Sequence, residues 1–170
     1  AESFSNHYAF VGPSVFSKAL PRKTKDRPLI YISMGTIIND RPDFYGKCID
    51  ALKDLHVDVI ISCGQNMQQK IPGKLPDNIK AYPYVDQLDV LSKANAFITH
   101  CGMNSVSESL YMATPMILYP QTNEQCAVAK RVTDMKAGIL LQKDSSSDIR
   151  SAVEKILGND SFAENAKKCS

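Results

Sequence analysis

Four residues in one short stretch, His100, Asn104, Ser105 and Glu108, have types and spacing that suit chemistry. They follow the apolar run Ala96-Phe97-Ile98-Thr99 and flank Gly102. On a helix, Asn104 and Glu108 share an edge, while Val106, Leu110 and Ala113 fall on the face that packs against a sheet. A strand that stops at His-Cys-Gly and opens into a helix is good geometry for an anion. Free N–H groups and the positive end of the helix dipole point at the turn, and glycine lets the backbone come close.

The surrounding chain supplies the elements that must hold these residues. The β-branched and aromatic run at 96–99 reads as a buried parallel strand. Five more strands are predicted at Leu29–Ser33, Val57–Ser62, Ile79–Val85, Met116–Tyr119 and Ile139–Leu141. Between them lie helices. One is capped by Asn39 or Asp40, with Pro42 in its first turn and Phe44, Cys48, Ala51, Leu52 and Leu55 on its apolar face. Others cover Gln87–Lys93, the stretch after Gly102, Glu124–Lys136 closed by Gly138, Ser145–Leu157 stopped by Gly158, and the tail from Asp160. Residues 65–78 hold two prolines and a glycine and read as loop. The alternation predicts an α/β fold: a Rossmann-like, doubly wound parallel sheet with helices on both faces. Polar clusters at 33–36, 84–87, 100–108 and 120–125 all follow strand carboxyl ends, the edge where open α/β sheets bind ligands.

The 170 residues suffice for one domain with a real core, here 29–170, preceded by a linker and lead-in at 1–28 whose basic run PRKTKDRP reads as solvated loop. A net charge of +2 gives no call for nucleic acid or an anionic membrane. No apolar run approaches the ~20 residues of a membrane-spanning helix, and no signal peptide is visible at the start. The five cysteines are dispersed without CxxC spacing, and the three histidines are scattered. No metal site is expected, and reduced thiols in the cytoplasm are.

The stretch FITHCGMNSVSE, preceded by YVDQLDVL and followed by P-x(4)-P-x(3)-EQ, resembles the donor-binding signature of the family 1 glycosyltransferases, with the bacterial macrolide branch closest. The resemblance extends more loosely from about Tyr8 to Leu157. It implies the C-terminal half of a two-domain GT-B enzyme, which binds a UDP-sugar, glucose-like, as substrate with no cofactor and no metal. It assigns His100, Gly102, Asn104 and Ser105 to the diphosphate, with Gly35 and Thr36 as a further contact. Glu108 and Gln87 are assigned to the ribose, Tyr84 and Val85 to uracil, and Glu124 and Gln125 to the sugar.

Each assignment stands beside a plainer one. His100 is otherwise a buried histidine bonded to backbone. Asn104, Ser105, Glu124 and Gln125 are otherwise ordinary helix-start residues. Gly35-Thr36 is otherwise a strand-to-helix turn, Tyr84 core, and Asp86 the cap of the next helix. For Glu108 the plainer reading is a first-turn carboxylate favoured by the helix dipole by ~0.3–1 kcal/mol. A carboxylate aimed at a diphosphate would repel it, and a place one step away on the ribose removes the conflict. This sequence has Asp86 where many relatives have proline, and Tyr84 where plant members have tryptophan.

Two classes of function follow. The first is the donor half of an inverting hexosyltransferase. Its small-molecule acceptor and general base then belong to an N-terminal domain outside this sequence, and no residue here matches the base. The second is a binding module without activity alone, such as the donor subunit of a two-subunit N-acetylglucosaminyltransferase. The FVGPS segment at 10–14 favours a piece of a longer chain. A dinucleotide binder is disfavoured because SMGTIIND lacks the G-x-G-x-x-G pattern.

Overall fold

The computed structural model describes residues 23, 26–35, 41–65, 71 and 73–169. Among these, six short parallel strands form one sheet: β1 (Leu29–Ser33), β2 (Asp58–Ser62), β3 (Ile79–Tyr82), β4 (Ala96–Thr99), β5 (Met116–Leu118) and β6 (Gly138–Leu140). The helices are α1 (Pro42–Leu52), α2 (Gln87–Lys93), α3 (Met103–Tyr111), α4 (Asn123–Asp134), α5 (Ser146–Leu157) and α6 (Ser161–Lys168). The strand order β3-β2-β1-β4-β5-β6 is the Rossmann-like, doubly wound arrangement expected from the alternation.

Strand alternation explains why both faces are apolar. Ile30, Ile32, Ile98 and Ile117 turn to one face, where Phe44, Tyr45 and Leu52 of α1 pack with Ile149 and Val153 of α5. Tyr31, Phe97, Met116 and Leu118 turn to the other, against Leu91, Val106, Val128 and Val132 of α2, α3 and α4. Each such side chain, fully buried, contributes ~1.5–3 kcal/mol. The chain winds outward from β1 to β3, then returns to lay β4 on the opposite side of β1, pairing Ile30 with Ala96 and Ser33 with Thr99. The helices that follow β1 and β4 cover opposite faces, so a crevice opens between the carboxyl ends of these two strands.

Several local expectations are corrected. β3 ends at Tyr82 rather than Val85, because Pro83 has no N–H to continue the ladder. β2 begins at Asp58, β5 ends at Leu118 and β6 runs from Gly138, each one residue off. Asn39 and Asp40 lie outside the described residues. The position before α1 is Arg41, which forms no side-chain cap bond, although Pro42 opens the helix as predicted. Ala113 lies beyond α3, and Ser109, not Ala113, is the buried partner of Val106 on that helix.

Gly138 does not close α4. That helix ends in a Schellman pair of bonds, Ala137 N–H to Val132 O (3.1 Å) and Lys136 N–H to Thr133 O (2.9 Å), with Lys136 itself in the left-handed region at φ 56. α3 ends the same way, with Thr114 N–H to Ser109 O at 2.8 Å and Ala113 at φ 51. Lys23 also departs from the solvated loop predicted for its segment. Its Nζ donates to Leu91 O at 2.7 Å and Thr114 Oγ1 at 2.6 Å, and burial pushes its ammonium down to about 7.

Gly138 has a different reason to be glycine. A Cβ there would lie 2.6 Å from the Met116 carbonyl oxygen and 3.1 Å from Val132 Cγ1. Replacing glycine by alanine in a compatible conformation gains ~0.4–1 kcal/mol from the unfolded chain, but overpacking against backbone costs ~1–3 kcal/mol. Gly138→Ala is therefore expected to destabilise the domain. A urea midpoint at or above that of the wild type would show that β6 yields and the contact is not limiting.

Candidate functional site

The crevice between β1 and β4 is a cleft of about 480 Å³, within the ~300–1,000 Å³ usual for small-molecule sites. His100 follows β4 at its base. A Cβ on Gly35 would come within 2.6 Å of the imidazole Cε1, and one on Gly102 within 2.6 Å of Nε2. Two glycines from different strand ends thus make room for one ring. Gly35 also adopts φ 81, which favours glycine, whereas Gly102 has an ordinary φ of −62. The left-handed residue of this turn is Cys101, at φ 69, its N–H donating to Thr99 Oγ1 at 3.2 Å.

Burial holds the His100 pKa below the ordinary imidazole value, and the Ser33 backbone pulls it partly back. The ring is therefore neutral at neutral pH. Its Nδ1 is buried and has no hydrogen-bond partner among the described residues. Beside it, α3 starts with Gly102, which offers no side-chain cap, and the first helical bond runs from Val106 N–H to Gly102 O. The N–H groups of Met103, Asn104 and Ser105 consequently have no intrahelical acceptor and sit at the positive end of the helix dipole. His100, Gly35, Gly102, Asn104 and Ser105 all line the cleft. Thr36 lies outside the described residues.

A second polar group lies along the same cleft. Gln87, the first residue of α2, donates from Nε2 to Glu108 Oε2 at 2.7 Å and to Ser105 Oγ at 3.2 Å, and accepts from the Tyr31 hydroxyl at 3.1 Å. Gln87 is held in place because Asp86 caps α2, accepting from Asp89 N–H at 3.1 Å. Glu108 is thereby engaged toward α2, one helical turn away from the free N–H groups of α3. Tyr84 is 80% exposed, so it is not a core residue, and with Val85 it lines the cleft.

Glu124 and Gln125 are not among the residues lining this cleft. They sit in the first turn of α4, where Gln125 N–H is capped by Thr122 Oγ1 at 3.3 Å and the Gln125 Oε1 accepts from Gln121 N–H at 2.8 Å. The cleft also includes Ser33 and Met103, which fall within the strand-end clusters at 33–36 and 100–108, and the structure adds Tyr31, Ser62, Gly64 and Pro83. Ser33 and Ser62 end the adjacent strands β1 and β2 in register, so the strand-end rule reaches them. Tyr31 carries no such signal. It is 1% exposed and stacks on Phe97, with centroids 4.8 Å apart, and only its hydroxyl reaches the site.

Among the described residues, no three His, Cys, Asp or Glu side chains are grouped as for a metal ion, and no helix is long and apolar enough to cross a membrane. Among the described residues Cys48, Cys63 and Cys101 are buried, and Cys126 and Cys169 are exposed.

Residues 20–170 match the family model described as UDP-glucoronosyl and UDP-glucosyl transferase. The chain is 36% identical over 175 residues to the uncharacterized UDP-glucosyltransferase YojK of Bacillus subtilis, covering 99% of this chain and 43% of that protein. It is 32% identical over 125 residues to the oleandomycin glycosyltransferase of Streptomyces antibioticus, covering 69% and 29%. The crystal structure of CalG4, the calicheamicin glycosyltransferase, superposes with a TM-score of 0.83 at 29% identity, covering 97% of this chain and 42% of that one. The chain thus spans less than half the length of these relatives and corresponds to the C-terminal domain of the GT-B glycosyltransferases. It belongs to the UDP-glucuronosyl and UDP-glucosyl transferase family.

Proposed function

We propose that this chain is the donor-binding half of an inverting glycosyltransferase that moves a glucose-like hexose from a UDP-sugar to a small-molecule acceptor. The observation that carries the reading is the set of groups gathered in one cleft: the exposed Tyr84 ring, the bonded Gln87–Glu108 pair, His100 and the open N-terminus of α3. A UDP-sugar offers a partner for each: a flat base, a ribose diol and a diphosphate. Tyr84 stacks on the base, Glu108 accepts from the ribose hydroxyls, and His100, Asn104, Ser105 and the α3 N–H groups hold the diphosphate. Thr36 completes the phosphate contacts, and Glu124 and Gln125 meet the sugar.

The acceptor hydroxyl attacks the anomeric carbon from the face opposite the departing UDP. The work of this half is to stabilise the charge that develops on the leaving diphosphate. Hydrogen bonds to such charged oxygens are worth ~1.5–3 kcal/mol each. The helix N-terminus and His100 supply them without a divalent cation, and Glu108 alone is a poor magnesium site. The acceptor and the general base come from an N-terminal domain. Holding the reactants together contributes ~7–11 kcal/mol of the barrier, so this half alone binds donor but transfers nothing. Reduced thiols in the chain fit a reducing compartment such as the cytoplasm.

Calorimetric titration with UDP tests the reading. Binding is expected, with the same affinity in EDTA and in magnesium. No binding by a folded chain would overturn the donor site, and a large gain with magnesium would overturn the metal-free phosphate cradle.

Glu108→Ala is expected to weaken UDP by ~1–3 kcal/mol, the cost of leaving polar partners unpaired, while inorganic pyrophosphate binds almost as before. Equal losses for both ligands would remove the ribose assignment.

The pH dependence follows from His100. Burial lowers its pKa in the unliganded chain, and a bound diphosphate raises it, so binding takes up a proton. Affinity is therefore greatest at acid pH and falls as pH rises through the value in the complex. A UDP-hexose, whose diphosphate is a diester of constant charge across neutrality, isolates this effect. His100→Gln is expected to flatten the profile. An unchanged slope would show that the proton belongs to another group.

A further inference from the structure

A second polar network lies beside the cleft, and its centre is Arg41. Nη1 of its guanidinium donates to Gln121 Oε1 at 2.9 Å, and Nη2 donates to the Tyr119 hydroxyl at 2.7 Å. Nη2 also lies 3.8 Å from Asp144 Oδ2, and the guanidinium carbon lies 5.4 Å from the Tyr119 ring centroid. The tyrosine is fixed in turn. Its hydroxyl donates to Asp144 Oδ2 at 2.9 Å, and its ring stacks on Phe44 with centroids 4.1 Å apart and planes 4° apart. Lys47 completes the group with an ion pair to Asp144 Oδ1 at 3.1 Å. One fork-shaped cation therefore ties together three loops at the carboxyl edge, those after β1, β5 and β6.

The consequence falls on Gln125. Arg41 holds the Gln121 side chain, whose Nε2 also reaches Met34 Sδ at 3.9 Å. The backbone N–H of Gln121 donates to Gln125 Oε1 at 2.8 Å. That bond settles which end of the Gln125 carboxamide turns inward. The oxygen faces the loop, so the NH₂ faces outward as a hydrogen-bond donor. We propose that Arg41 is a positioning residue for the sugar end of the donor, holding the Pro120–Gln125 loop through Gln121 so that Gln125 presents a donor to a sugar hydroxyl. The proposal rests on the donor-site reading above. An arginine is required because a lysine ammonium cannot bond Gln121 and Tyr119 in one plane.

The test compares UDP with the best-bound of UDP-glucose, UDP-galactose and UDP-N-acetylglucosamine, by calorimetry on the 170-residue chain. Arg41→Gln and the milder Arg41→Lys are each expected to keep UDP affinity within about 2-fold while losing 5-fold or more of the extra affinity that the sugar confers. Asp144→Asn is expected to act in the same direction, more weakly. Thermal melts identify any variant that fails to fold, in which case Arg41→Lys carries the comparison. Equal loss on UDP and UDP-sugar, or no loss on either, overturns the positioning role while leaving the donor site standing. A wild-type chain that binds UDP but gains nothing from any of the three sugars overturns the sugar-facing assignment and the proposal with it. A wild-type chain that binds neither overturns the donor site itself.

Discussion

The fit of one imidazole between two glycines sets the geometry of everything around it. His100 projects from the end of β4 into space left by Gly35 after β1 and Gly102 at the start of α3. The register that pairs Ser33 with Thr99 brings those strand ends level. A one-residue slip would turn the strand's side chains to the opposite face and move the ring out of the gap. At both glycines the ring lies where a side chain would begin, so a Cβ at either position would collide with it. The His100 end of the cleft is therefore closely packed, the kind of fixed geometry that electrostatic preorganisation uses.

The Glu108 end of the cleft solves a different problem, which is how to keep a carboxylate close to a helix N-terminus without spoiling it for anions. Glu108 would repel a diphosphate if it reached into the first turn of α3. Gln87 holds it toward α2 instead, and Tyr31 and Ser105 hold Gln87. At the Gln121 end, Arg41 pairs with Asp144 and bonds the Gln121 side chain. Both ends rely on side chains that sequence spacing alone does not bring together.

That contrast explains what was legible in the sequence. The strands β1 and β4 and helix α2 are read correctly to the residue, because each is a short apolar or capped run with clear punctuation. The cleft residues His100, Gly102, Asn104, Ser105 and Glu108 lie together on one strand-turn-helix, so their proximity is local. Tyr31 was hidden because a tyrosine in a buried strand looks like core from either side. Arg41 was hidden because its partners Tyr119, Gln121 and Asp144 come from distant loops. Gly138 misleads because glycine after a helix usually marks a left-handed cap. Here Lys136 takes that conformation, its cost of ~1–2 kcal/mol offset by two Schellman bonds. Tyr84, given as core in the plainer reading, is the most exposed of the large apolar side chains described.

The pairing of β1 with β4 also has a kinetic consequence. It joins Ile30 to Ala96, after the chain has travelled through β2 and β3 and back. Contacts so distant in sequence close against a large loop entropy and tend to form late. The cleft straddles that seam, so it does not exist in a partly folded chain in which only neighbouring strands have paired. A ligand held there has nothing to grip until that seam has closed. It therefore acts on the reverse reaction, slowing escape from the native state while leaving the rate of reaching it unchanged. Occupancy by a ligand then lengthens the lifetime of the folded domain, and with it resistance to proteases that cut only the opened chain.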